Sequence, residues 1–299
     1  MTTVTAEPGT RSAGIGLSAG RKLRDRIATV LVYAAFALAL VPLVWILYSV
    51  LSNGWSLLAD GGWWQLSQRN INPDKVGGGA YHAILGTLLQ ALFCAVIAVP
   101  LALFTAVYLV EYGQGRLARV VSFMVDILTG IPSIVAALFI YALWVTTFGL
   151  QRVGFAVSLS LVLLMIPVVV RSTEEMLKLV PNELREASYA LGVPKWRTIL
   201  RVVLPTALGG IVTGVMLGLA RVMGETAPLL ILGPYAAAIN PNLFNGNMAA
   251  LPTLIKENFD QPDDPSIARM WASALTLILI VLLLNIAGRF VARFSGVKR

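Results

Sequence analysis

The chain has 299 residues, 57% of them apolar and 13% charged, with a net charge of +8, one histidine and one cysteine. With a mean hydropathy of +0.78, this composition excludes a soluble globular domain and places the chain among integral membrane proteins. The basic excess does not indicate nucleic acid, because lysines and arginines flank apolar runs instead of interleaving with aromatics. His82 and Cys94 alone cannot supply a metal cluster, an intrachain disulfide or a nucleophile–base set.

Residues 1–26 are small, polar and glycine-rich up to the basic RKLRDR, the composition of an unstructured tail. The apolar run 27–51 exceeds the roughly 7–15 residues of a signal-peptide core, so it reads as a retained first transmembrane helix. At about 1.5 Å per residue, crossing the hydrocarbon takes roughly 20 apolar residues. Six segments qualify: 27–51, 82–110, 119–147, 154–173, 206–232 and 271–292. The expectation is an all-α integral membrane protein with six transmembrane helices over 27–292 and a short tail at 293–299. Sixteen of the 23 lysines and arginines fall on the amino-terminal side of the membrane. Arg69, Lys75, Arg152, Lys256 and Arg269 fall on the other, and Arg171 and Arg221 lie at or within it. By the positive-inside rule both termini are cytoplasmic.

The first outer loop, 52–80, is rich in Gly, Trp and Asn, and its GGG at 77–79 reads as a flexible joint. No Gly-Lys-[Ser/Thr] accompanies it, so it is not a phosphate-binding loop, and the whole chain lacks an ATPase signature. The third span is interrupted by Asp126 and by TGIPS at 129–133, where Gly130 and Pro132 predict a kink or a broken helix. Asp126 is a candidate for a structural charge or a secondary path. The fourth span ends at IPVVVR, placing Arg171 at the inner membrane boundary.

The cytoplasmic loop 174–205 carries ELREASYALGVPKWRTILRVVLP from residue 183. Asn182 is a suitable N-cap, Glu183 and Glu186 favour the positive end of a helix, and Gly192 and Pro194 mark a bend and a restart. Ala187, Ala190 and Leu191 then share one small apolar face. A membrane-surface helix is one reading, but small residues better suit docking into a groove on another protein. Glu186-Ala187-Ser188, Gly192 and Val202-Val203-Leu204-Pro205 resemble the EAA motif of ABC importer permeases, with Ser188 for the third Ala and Val202 for Ile. The resemblance implies the type I ABC importer permease architecture and a coupling helix, including Glu186, Ala187, Ser188 and Gly192, seated on an ATP-hydrolysing partner. ATP and Mg would then bind that partner, and no cofactor this chain.

The fifth span contains Arg221 and Glu225, four residues apart and on one helical face if the helix is continuous. A charge at the bilayer centre costs at least about 2.5 kcal/mol. Either the two residues merely offset one another's desolvation, with Asp126 nearby, or they mark a substrate path. Arg171 and Arg221 could together offer forked donors to a tetrahedral oxyanion, with Glu225 moderating the grip of Arg221 so that the anion can leave.

The stretches GIPSIVAALF, VVVRSTEEMLKLVPNELREASYALG and LARVMGETAPLL resemble the permeases of phosphate-specific ABC importers over most of 82–292. That resemblance implies inorganic phosphate as cargo, a substrate path including Arg171, Arg221 and Glu225, and life in lipid as a multi-pass protein of the bacterial inner membrane. It also implies a sister permease PstC, two copies of the ATPase PstB and the binding protein PstS. Sulfate, molybdate or phosphonate present similar oxygens to an arginine. A proton-coupled carrier using Asp126 and Glu225 is a further reading, although no internal repeat supports it. The second outer loop, 233–270, is either a docking surface or a solvated connector.

Overall fold

A computed structural model describes residues 19–295, and those residues are helical with irregular connections. The expected unstructured tail lies outside the described residues for 1–18, and so does the end of the carboxyl tail at 296–299. Residues 19–26 already belong to the first helix, α1 (Ala19–Leu58). Up to Ser49 this helix forms a unit of its own, and its apolar residues between 20 and 48 are exposed.

The second unit runs from Val50 onward. It contains α2 (Tyr81–Val107), α3 (Gly115–Gly130), α4 (Ser133–Ile140), α5 (Gly154–Lys178), α6 (Asn182–Ala190), α7 (Lys195–Thr198) and α8 (Leu204–Met223). The last three are α9 (Ala227–Leu232), α10 (Leu251–Phe259) and α11 (Asp264–Ser295). Wide π turns extend α2 through Tyr108–Tyr112 and α4 through Tyr141–Thr147, and a third joins α7 to α8 through Ile199–Val203. Among the described residues, five helical stretches are long and apolar enough to cross a membrane, and the expected third span makes a sixth only as a broken pair bent by 107°. Its cause is local. Pro132 has no amide hydrogen to continue α3, and it forces Ile131 into an extended conformation (φ −71°, ψ 126°). Around α5, the most buried span, pack α2 and α8, while α11 packs on α8 and α10.

On the outer side, both long loops are built structure. Trp63, 1% exposed, anchors a second apolar cluster with Ala83, Leu251, Leu254 and Leu275, and its indole donates to Thr276 Oγ1 at 2.9 Å. The GGG segment is therefore no flexible joint. The Gly79, Ala80 and Tyr81 amides bond the carbonyls of Ser67, Trp63 and Leu66. Arg269, counted above as an outer-loop cation, is 3% exposed and staples the 73–77 segment to α11 by donating to the carbonyls of Pro73, Lys75 and Gly77.

In α2, Gly86 is set so close to this layer that an added Cβ would sit 1.9 Å from the carbonyl oxygen of Ala249. A backbone oxygen cannot swing away as a side-chain tip can. Gly86→Ala should therefore cost about 3 kcal/mol or more, the upper range for overpacked cores. A thermal shift of the purified complex would show it, and an unchanged melting temperature would mean that the outer layer yields freely.

Candidate functional site

The loop expected to couple the permease to a partner folds as a bent pair of helices. Pro181, not Asn182, is the N-cap of α6, and Asn182 Oδ1 instead accepts from Arg185 Nη1 at 3.3 Å. Gly192 closes α6 at φ +74°, the left-handed region that favours glycine. Pro194 then caps α7. Glu186, Ala187 and Ala190 are exposed, and Leu191 is 83% exposed, so the small apolar face stays open. Ser188 behaves differently. It is buried, and its hydroxyl lies 2.8 Å from Thr198 Oγ1, tying the two arms of the bend together.

Arg171 sits near the end of α5 and is almost fully engaged. Nη1 donates to Glu174 Oε2 at 2.5 Å, and Nη2 donates to Asp126 Oδ1 at 2.5 Å. Nη2 also reaches the carbonyl and hydroxyl oxygens of Ser122 at 3.1 and 3.0 Å. Asp126 thus pairs with Arg171 across α3 and α5, and is not the companion of Arg221 and Glu225. Glu174, which the sequence did not mark, also takes Lys178 at 2.7 Å. Its i+3 spacing from Arg171 was the available signal.

Arg221 and Glu225 do not lie within one continuous span. α8 stops at Met223, and Pro228 at the start of α9 lacks the amide that would have bonded the Gly224 carbonyl. The pair straddles this break. Arg221 Nε lies 3.7 Å from Glu225 Oε1, beyond ordinary hydrogen-bond length, and the arginine side chain is 47% exposed against 16% for the glutamate. Among the described residues Glu225 is the only charged partner of Arg221. The arrangement therefore leaves its terminal nitrogens available to an anion, whereas those of Arg171 are occupied.

Residues 98–295 match the family model described as binding-protein-dependent transport system inner membrane component. The chain is 53% identical over 283 residues to the phosphate transport system permease protein PstA 1 of Mycobacterium tuberculosis (strain CDC 1551 / Oshkosh), covering 95% of this chain and 93% of that one. It is 41% identical over 275 residues to the phosphate transport system permease protein PstA of Yersinia pestis, covering 91% of both. Among solved structures, a chain of the bacterial alginate ABC transporter in complex with alginate pentasaccharide-bound periplasmic protein superposes with a TM-score of 0.61 at 14% identity. That match covers 92% of this chain and 97% of the other.

Proposed function

The chain belongs to the binding-protein-dependent transport system inner membrane components, in the branch of the phosphate transport permeases, and on that premise we propose how its residues carry the anion. It is a non-catalytic, multi-pass inner-membrane subunit of an ABC importer, which a partner ATPase, a sister permease and a binding protein complete. In this reading the sister is PstC and PstS delivers phosphate. Two copies of PstB hold ATP and Mg, one of them against the open Ala187/Ala190/Leu191 face.

Arg221 receives the phosphate at the α8–α9 break. Its half-exposed guanidinium, with uncommitted terminal nitrogens, is the observation that carries this reading. Two parallel N–H donors match two oxygens of a tetrahedral anion. Glu225 offsets the cation between loads and competes for it, so the anion is not trapped. Arg171 would take part only by releasing Asp126, which makes it a second, gated contact.

The whole reading is tested in proteoliposomes holding the permease pair and ATPase, with phosphate-loaded binding protein on the other side. Uptake should need ATP and should persist in excess sulfate or molybdate. Uptake driven by a pH gradient without the ATPase would replace it with the proton-coupled reading. Docking is tested separately. Gly192→Leu forces a branched side chain into the left-handed region, a strain of about 1–3 kcal/mol, and adds bulk beside the open face. The ATPase should co-purify poorly with it, and full co-purification with normal hydrolysis would move the docking surface elsewhere.

A further inference from the structure

Glu111 and Arg185 are 74 residues apart in sequence and meet where the wide turn ending α2 touches α6. Arg185 Nε and Nη2 both donate to Glu111 Oε1, at 3.1 and 2.9 Å. The remaining donors are also used. Nη1 reaches the Val180 carbonyl at 2.6 Å, and Nη2 reaches the Leu177 carbonyl at 3.0 Å. One guanidinium therefore ties the end of α5, the following turn, α6 and the end of α2 together. The side chains are 13% and 5% exposed, a degree of burial at which a broken ion pair is costly. The other arm of the loop grips the same place. Lys195 donates to the Glu111 carbonyl, and its ammonium lies 4.8 Å from the centre of the Tyr112 ring.

Apart from the bonds that shape the loop itself, these contacts are directed at one short segment, Glu111–Tyr112. The open face of α6 points elsewhere and carries no such bonds. A helix held through desolvated charge-assisted bonds cannot shift by an ångström without carrying its partner along or leaving a charge unpaired. We propose that the Arg185–Glu111 pair is the link through which a displacement of α6 is passed to α2, making Arg185 and Glu111 positioning residues for transport. The inference rests on the reading of α6 as the ATPase-docked helix.

The test uses the full complex in proteoliposomes and reads three quantities: ATPase co-purification, ATP turnover, and phosphate carried per ATP. Glu111→Gln keeps an oxygen acceptor for Arg185 and removes only the charge. The ATPase should stay bound and turn over ATP, while phosphate carried per ATP falls at least about fivefold, the lower edge of ordinary coupling energies. A merely structural pair would lower the yield of complex and leave that ratio unchanged, which would overturn the inference. The second variant is Glu111→Cys with Arg185→Cys in a Cys94→Ala background, joined by a reversible bis-thiosulfonate linker. If the contact acts as a fixed link, linking should restore the ratio and reduction should abolish it. Uptake blocked by the linker would mean that the contact opens in each cycle, and would also overturn the inference. Failure of the docking reading is distinguishable, because it would appear as retained ATPase in Gly192→Leu whatever the Glu111 variants do.

Discussion

Arg221→Lys is expected to assemble with its partners at the normal level and to carry phosphate roughly thirtyfold more slowly. Lysine keeps the charge but replaces a planar fork by a point donor, forfeiting about one charge-assisted hydrogen bond of about 2 kcal/mol. Assembly should survive because the pair with Glu225 is long, at 3.7 Å, and the arginine is 47% exposed. Such pairs contribute about 0–1 kcal/mol. Arg221→Gln should lose transport more completely. The double variant Arg221→Gln with Glu225→Gln then separates the two roles. If the pair only balances charge, removing both charges should leave uptake intact. If Arg221 meets phosphate, the double variant should assemble, hydrolyse ATP and still fail to accumulate the anion. Wild-type uptake in the double variant would refute the role given to Arg221.

The second large effect is expected at Arg171, and its sign depends on which partner is removed. If Arg171 meets the anion, Arg171→Gln should raise KM and cut uptake roughly thirtyfold, the loss of about one charge-assisted hydrogen bond of about 2 kcal/mol. Asp126→Asn is more informative. Asp126 is 63% exposed and loses little by neutralisation, while Nη2 of Arg171 keeps its neutral bonds to Ser122 and is held less firmly against an incoming anion. A freed arginine should hold phosphate more tightly and release it more slowly, so KM and maximal uptake should fall together. A tie that only fastens α3 to α5 would instead weaken assembly in both variants alike. The two substitutions thus give opposite shifts in KM if Arg171 touches the anion, and parallel losses of complex if it does not.

Much of this was readable in advance because membrane crossing and helix breaking are local properties. Apolar runs marked the spans, Gly130 and Pro132 marked the break between α3 and α4, and Gly192 marked the bend between α6 and α7. The end of α8 was missed for a physical reason. Residues 206–232 are predominantly apolar despite Arg221 and Glu225, and hydropathy does not register that Gly224 and Pro228 together stop a helix. Arg171 was singled out by its place at the membrane boundary, but its engagement with Asp126 across 45 residues has no signature in either segment. The Arg185–Glu111 pair was hidden in the same way. The GGG segment misled because glycine permits both mobility and close packing, and here bonds at the Gly79 amide and the Gly77 carbonyl select the second.

The 107° bend between α3 and α4 reaches beyond transport. At about 1.5 Å per residue, α3 alone extends roughly 24 Å and cannot cross the hydrocarbon by itself. Irregular backbone therefore lies at membrane depth, with Gly130 and Pro132 exposed on the surface of this chain. Lipid cannot satisfy the freed amide and carbonyl groups there, nor the side of the Asp126 carboxylate that Arg171 leaves exposed. Only another protein surface or a wetted path can cover them. An orphan copy would carry a flaw that membrane proteases and chaperones can detect, whereas a copy made beside its sister would hide it on assembly. Cellular abundance of this subunit should consequently follow that of its scarcest partner, because the surplus is unfinished and is removed.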